Sequence, residues 1–232
     1  IFVFITNLDV WLVRSSGEWL SGDSASVAGQ VALVGGIGLL GMAGSIIIGV
    51  YFGAWIGIGK EAKDQKSFIW WVVNRLLFLA AIGSIQGFAQ YYLADVIKVD
   101  NPASQSSLLL AIVGAFLRPS ALGAGWLSDR IGRKKLITIS GLVAAGGAAM
   151  LLVAQSMIMV LICGAILGLA TGTFYATNWA LGTDLVPKQS AGRYLGISNL
   201  AGAGAGIVGS SIGGPMADYF NAIQPGLGYP VI

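Results

Sequence analysis

Long apolar stretches, each bounded by polar residues, fill most of the 232-residue chain. A helix that crosses a lipid bilayer needs about 20 mostly apolar residues. Six stretches reach this length and predict membrane-spanning helices over residues 27–58, 68–97, 108–127, 136–154, 157–185 and 194–217. Residues 1–13 are interpreted as the end of an earlier span. Residues 220–232 contain the turn Gln224-Pro225-Gly226 and are interpreted as the start of a truncated last span.

The composition agrees with a chain that lives in lipid. Hydrophobic residues make up 56% of the sequence and charged residues 10%, whereas soluble domains carry about 25% charged residues. The fold class predicted is therefore an all-α integral membrane protein in contact with membrane lipids. The 13 basic residues are too scattered for a nucleic-acid partner. With no histidine and a single cysteine, Cys163, neither an enzymatic site nor a metal or other cofactor is expected.

Basic residues alternate between the two sides of the predicted membrane. One side carries Lys60, Lys63, Lys66, Arg130, Arg133, Lys134, Lys135, Lys188 and Arg193. The other side carries only Arg14 and Lys98. Loops rich in lysine and arginine stay in the cytoplasm. The pattern therefore predicts a multi-pass protein, placed in a bacterial cytoplasmic membrane, with the first group on the inside.

A short charged segment between the third and fourth stretches carries the most specific signal. It reads Gly125-Trp-Leu-Ser-Asp129-Arg130-Ile-Gly132-Arg133-Lys-Lys135. Gly125 removes side-chain bulk where a neighbouring helix can come close. Asp129 is expected to face the positive end of another helix or an arginine. The four basic residues lie at headgroup depth, where anionic lipids attract them.

This segment resembles, at every defined position, the loop motif of the Major Facilitator Superfamily. The resemblance implies that superfamily's helical bundle, and a loop that latches the inner gate of a transporter through Gly125, Asp129, Arg130, Gly132 and Arg133. A second element, Asp184-Leu-Val-Pro followed by Gly192-Arg193, is similar to the family's loop between spans ten and eleven. We expect Asp184 to form an ion pair with Arg133 or Arg130, and Arg193 to belong to the same gate.

The motif also suggests which part of the family's fold the chain contains. If it lies between spans eight and nine, residues 27–58 are span six and 59–67 are the cytoplasmic linker between the two halves. Residues 68–219 then form the C-terminal bundle, and the chain is partial. The alternative is the first-half copy of the motif, between spans two and three. That placement fits less well, because about two and a half spans and a charged linker would precede it.

Polar side chains inside apolar stretches are candidate substrate ligands, because an ionisable group in a span is costly. The candidates are Arg75, Gln86, Gln90, Arg118, Tyr175 and Asn178. Two arginines at similar depth favour an anionic group, and amides beside aromatic rings suit sugar hydroxyls. The arginines could instead snorkel or cap a helix carbonyl. Tyr91, Tyr92 and Asp95 fit an interfacial belt better than a ligand site.

The segment from Phe68 to Val96 is also loosely similar to the cation-symporting glycoside branch of the superfamily. The function predicted is a secondary transporter of a small polar solute, a sugar, glycoside or organic anion, with a proton or sodium ion as candidate coupling ion. The alternative is a superfamily-like scaffold, assembly or pigment-handling subunit of a larger membrane complex, which does not transport. Asp95, Asp129, Asp184 and Asp218 all lie near span ends, so a coupling carboxylate is expected outside this chain.

Overall fold

A computed structural model describes residues 2–21 and 26–231, and these residues are mostly helical and include no strand. The α-helices are α1 Phe2–Ser21, α2 Val27–Gln30, α3 Gly36–Ile58, α4 Lys66–Asp95, α5 Pro102–Ile131, α6 Arg133–Leu151, α7 Met157–Leu185, α8 Ala191–Ile223 and α9 Gly228–Val231. A π-helical segment, Val31–Gly35, joins α2 to α3, and 3₁₀ turns cover Gly59–Lys63 and Lys188–Ser190. Six helical segments, those containing α3 to α8, are long and apolar enough to cross a membrane. The all-α membrane fold class is confirmed.

The first helix is longer than the apolar segment that predicted it. Residues 1–13 were expected to be apolar span and the polar residues after them a connection, but α1 continues to Ser21. The reason is that the buried face of the helix extends beyond Val13, because Asp9, Val13 and Gly17 are all buried at helical spacing. The polar residues that follow Val13 therefore extend the helix along the same contact. Ile1 and Ile232, at the outer ends of the first and last predicted segments, lie outside the described residues.

Capping explains where other helix ends depart from the hydrophobic boundaries. The third stretch was expected to begin at residue 108, whereas α5 begins at Pro102. The Asn101 side chain accepts a hydrogen bond from the Ser104 N–H at 3.2 Å, and Pro102 occupies the first helical position. Similarly, α8 runs past residue 217 to Ile223, and the Asn221 side chain accepts hydrogen bonds from the N–H groups of Gly226 and Gly228 beyond it.

The helices divide into two compact units, and the first comprises residues Ile1–Phe88 and Lys188–Ile232. Within it α1, α3 and α8 pack on one another, and α4 lies against α8. Phe68 of α4 meets Tyr194 of α8 edge to face, with ring centroids 4.9 Å apart. Its fully buried side chains include Ile46, Leu76, Ile212, Met216 and Phe220.

The second unit, Ala89–Pro187, is built around a close crossing of α5 and α7. A Cβ atom on Gly168 would lie 2.4 Å from the Val113 carbonyl oxygen, and one on Gly172 would lie 2.1 Å from that of Leu117. No real Cβ fits at such distances, so glycine at both positions permits this crossing.

Candidate functional site

The charged segment that carries the family motif contains a one-residue turn between two long helices. Gly132 alone separates α5 from α6, and its φ of 93° and ψ of 138° lie where residues with a side chain are strained. The Gly132 N–H donates to the Ser128 carbonyl at 3.0 Å, which closes α5. The glycine therefore lets α6 begin directly at Arg133.

Arg133 connects this turn to the end of α7. Its Nη1 donates to Asp184 Oδ2 and to the Ala180 carbonyl, both of which lie in the last turns of α7. The Arg133 side chain is 30% exposed and that of Asp184 56% exposed, so the pair remains in contact with solvent or headgroups. The expected ion pair is confirmed, with Arg133 and not Arg130 as the partner; its gating role stays a prediction.

The other motif residues make fewer contacts. The Arg130 guanidinium carbon lies 3.9 Å from the centroid of the Trp126 ring, one turn earlier on α5, which is cation–π geometry. Asp129 is exposed and its side chain has no polar partner among residues 2–21 and 26–231. Nothing in that part of the chain comes within 4 Å of a Cβ built on Gly125. The close helix and the charge partner expected there stay predictions.

Arg193, the remaining predicted gate residue, belongs to a different contact. Its Nε donates to the Gly57 carbonyl at 2.5 Å, at the end of α3. Beside it, the buried Tyr194 donates its hydroxyl to Glu61 Oε2 at 3.4 Å. The start of α8 is thus attached to the end of α3 and the 3₁₀ turn after it. Arg193 therefore connects the start of α8 to the end of α3 within the first unit. It is not part of the Arg133–Asp184 pair.

The predicted substrate ligands fall in both units. Arg75 and Gln86 belong to the first unit, and Gln90, Arg118, Tyr175 and Asn178 belong to the second. Arg75 is half-buried, with its guanidinium carbon 5.8 Å from the centroid of the buried Trp71 ring. Gln86, Gln90 and Arg118 are exposed, whereas Asn178 is buried one turn along α7 from the half-buried Tyr175. Their role as ligands stays a prediction.

Two aromatic residues considered in the sequence have contrasting environments. Tyr91 is 60% exposed. The Tyr92 hydroxyl donates to the Leu151 carbonyl at 2.8 Å and lies 3.3 Å from that of Ala154, which ties the end of α4 to the end of α6. It packs there with Leu93, Ala154 and Val160. Tyr92 is therefore a packing residue of the second unit.

The most buried aspartate in the described part of the chain was not identified from the sequence. Asp9 lies midway along α1 with 7% of its surface exposed, and it was not among the candidate residues singled out from the sequence. Ser45 of α3 donates its hydroxyl to Asp9 Oδ2. The available signal was helical spacing, because Thr6, Asp9 and Val13 share the buried face. Asp9 was overlooked because its segment was interpreted as the tail of an earlier span.

A small groove of about 190 Å³ lies between α4 and α8 in the first unit. Ser84 and Ser210 supply its hydroxyls and Phe88 its ring, while alanine and glycine line the rest. None of the predicted substrate ligands lines it.

Comparisons with known proteins agree with the motif. A family model described as Major Facilitator Superfamily matches residues 58–210, more than half of the chain. The minor myo-inositol transporter of Bacillus subtilis (strain 168) is 31% identical over 106 residues, which are 46% of this chain and 23% of that protein. The galactose-proton symporter of Escherichia coli (strain K12) is 25% identical over 178 residues, 75% of this chain and 38% of that protein.

A third relative is the putative proline/betaine transporter of Staphylococcus aureus (strain N315), 37% identical over 100 residues, 40% of this chain and 20% of that protein. The chain therefore aligns with less than two fifths of the length of each of these relatives. No solved structure matches significantly. The resemblance inferred from the motif is confirmed at the level of the family.

Proposed function

The chain belongs to the Major Facilitator Superfamily, and from that premise we propose that it forms much of the C-terminal half of a secondary active transporter. Residues 27–58 are span six in this proposal, and residues 59–67 link the two halves. The transporter moves a small polar solute by alternating access, in which one bundle rocks against the other around a midplane site. Its basic loops face the cytoplasm of a bacterium.

One observation supports the proposal: the Arg133–Asp184 pair connects the turn between α5 and α6 to the C-terminal end of α7. A pair this exposed contributes only about 0–1 kcal/mol to stability. A contact so weak suits a latch better than a structural brace, because it can form and break during each cycle. Charge reversal at Asp184 is therefore expected to change the distribution between inward- and outward-facing states more than it changes stability.

The solute class proposed is a sugar or cyclic polyol. Two of the relatives are named for myo-inositol and galactose, and one of these is named as a proton symporter. Gln86, Gln90, Tyr175 and Asn178 are the proposed solute ligands, because amides hydrogen-bond hydroxyls and aromatic rings pack on the apolar faces of sugars. Arg75 and Arg118 are kept as ligands for an organic anion, the second solute class of the proposal.

Uptake by the reconstituted whole protein tests this function. We expect proteoliposomes to accumulate galactose or myo-inositol when an inward proton gradient is imposed, and to lose accumulation when a protonophore is added. An organic anion and betaine serve as comparison solutes. Accumulation that follows an imposed sodium gradient instead would reassign the coupling ion. Absence of uptake for the whole panel would favour the non-transporting scaffold.

The proposed ligands can be tested individually. Asn178→Ala is expected to raise the KM for the transported solute at least several-fold. Thr183→Ala, an exposed position on the same helix, is the matched control and should leave KM unchanged. Equal effects of both substitutions would remove Asn178 from the solute site.

A further inference from the structure

The last turn of α3 is attached to the first turns of α8. Arg193 Nε donates to the Gly57 carbonyl at 2.5 Å, one of the carbonyls that a helix end leaves without an internal partner. A Cβ built on Gly57 would lie 2.5 Å from Ile197 Cδ1, one turn further along α8. The two helices are therefore so close here that a side chain at position 57 would displace Ile197.

The segment after α3 adds to this attachment. Tyr194 of α8 is 1% exposed, and its hydroxyl donates to Glu61 Oε2 at 3.4 Å. Its ring meets that of Phe68, which is also 1% exposed, edge to face. One buried residue of α8 thus contacts both the 3₁₀ turn that follows α3 and the start of α4.

Helices α3 and α8 meet again near their opposite ends. A Cβ built on Gly38 would overlap Met216 Sδ, and Met216 is fully buried. The two contacts are 19 residues apart on each helix, from 38 to 57 on α3 and from 197 to 216 on α8. This spacing in opposite directions means antiparallel packing over about 28 Å at 1.5 Å per residue. The contact therefore extends across the hydrocarbon core of a bilayer, which is about 30 Å thick.

Burial distinguishes this contact from the exposed Arg133–Asp184 pair. On α3, Ile46, Val50 and Ala54 lie between the two ends of the contact and are each 2% exposed or less. Membrane helices are held together by close packing and by polar groups that find partners on a neighbouring helix. Separating α3 from α8 would undo the packing at both ends and remove the partner of the Gly57 carbonyl.

We propose that α3 and α8 form one rigid body that stays closed throughout the transport cycle. Helix α3 precedes the linker 59–67 but moves with the helices that follow it, and the solute pathway opens at a boundary other than α3–α8. The movement rests on the proposed transport function, whereas the contact across the membrane does not.

Cysteine crosslinking of the whole protein in membranes tests the contact, in a variant that carries Cys163→Ser. The pairs Gly57→Cys with Ile197→Cys and Gly38→Cys with Met216→Cys probe its two ends. Ile197 Cγ1 lies 2.8 Å and Met216 Cγ 3.2 Å from the Cβ position of the facing glycine, so the introduced sulfur atoms are within bonding reach. We expect both pairs to form disulfides on mild oxidation.

The control pair is Trp55→Cys with Ile197→Cys. It should stay uncrosslinked, because Trp55 is 61% exposed and lies on another face of α3 from Gly57. Failure of either folded contact pair to crosslink would overturn the proposal, as would equal crosslinking of the control. If one contact pair does not fold, the other still decides, since the proposal requires both ends to be closed.

Solute uptake by the crosslinked proteins in proteoliposomes tests whether the body is rigid. We expect each crosslinked pair to retain at least half of the uptake that the same protein shows after reduction with dithiothreitol. A larger fall that dithiothreitol reverses would show that α3 and α8 separate during the cycle, and it would overturn the proposal while leaving the transport function intact. Crosslinks without uptake in either redox form would overturn the transport function and the movement that rests on it, whereas the contact across the membrane would stand.

Discussion

At the scale of single residues, backbone conformation explains why the motif has a glycine at position 132. Gly132 adopts φ 93° and ψ 138°, and this single residue forms the whole connection between two membrane helices. The motif alone predicted a short cytoplasmic loop, but it did not reveal that α6 would begin at the next residue. Backbone conformation of this kind is set by how closely the two helices approach, which is a tertiary property.

Gly132→Ala is therefore expected to destabilise the protein by about 1–3 kcal/mol, the typical cost of holding a residue with a side chain in such a conformation. Thermal unfolding in detergent would report the loss as a lower Tm. Gly146→Ala is the control, because it lies within α6 and a Cβ there meets nothing within 4 Å. Equal Tm values for the Gly132 variant and wild type would show that the turn is not strained by a side chain.

Arg133 provides a second prediction at this scale. Arg133→Ala removes a salt bridge between a half-buried arginine and an exposed aspartate, so stability should change by about 1 kcal/mol or less. Transport should fall much more, because the latch is lost. Chemical denaturation and uptake measured on the same preparation separate the two effects. A stability loss large enough to explain the whole drop in uptake would make Arg133 a structural brace.

At the scale of elements, long apolar stretches predicted the membrane helices because lipid imposes a minimum apolar length. The prediction for residues 157–185 coincides with α7, and that for 27–58 covers α2, the π-helical segment and α3. Helix ends were less predictable, because caps such as Asn101 and continued burial along α1 decide them. The Gly168–Gly172 stripe was missed because its contacts on α5 define it. Asp9 was missed because its segment was interpreted as the tail of an earlier span.

The α5–α7 crossing leads to a prediction about packing. Gly172→Ala places a Cβ 2.1 Å from the Leu117 carbonyl oxygen, so the helices must separate and we expect a loss of about 1–3 kcal/mol. Gly141→Ala on α6 is the matched control, since its Cβ position is open. Tm in detergent is the measurement, and a Gly172 variant as stable as the control would mean that α5 and α7 pack less closely.

At the scale of the whole molecule, the alternation of basic loops predicts which ends of the helices face the cytoplasm. In a variant with Cys163 replaced, a cysteine introduced by Lys134→Cys at the start of α6 should react with a membrane-impermeant maleimide only after the cells are opened. A cysteine introduced by Gln155→Cys, beyond the other end of α6, should react in intact cells. Labelling in the reverse order would invert the proposed topology.

The charge-swap experiment tests the central claim most directly. Solute uptake is measured in proteoliposomes that contain wild type, Asp184→Arg, Arg133→Asp or the double variant. If the Arg133–Asp184 pair is a latch, each single reversal should reduce uptake at least tenfold, and the double variant should recover much of it because the attraction is restored. Wild-type uptake in the single variants, or a double variant as impaired as the singles, would contradict the claim that this contact controls an alternating-access cycle.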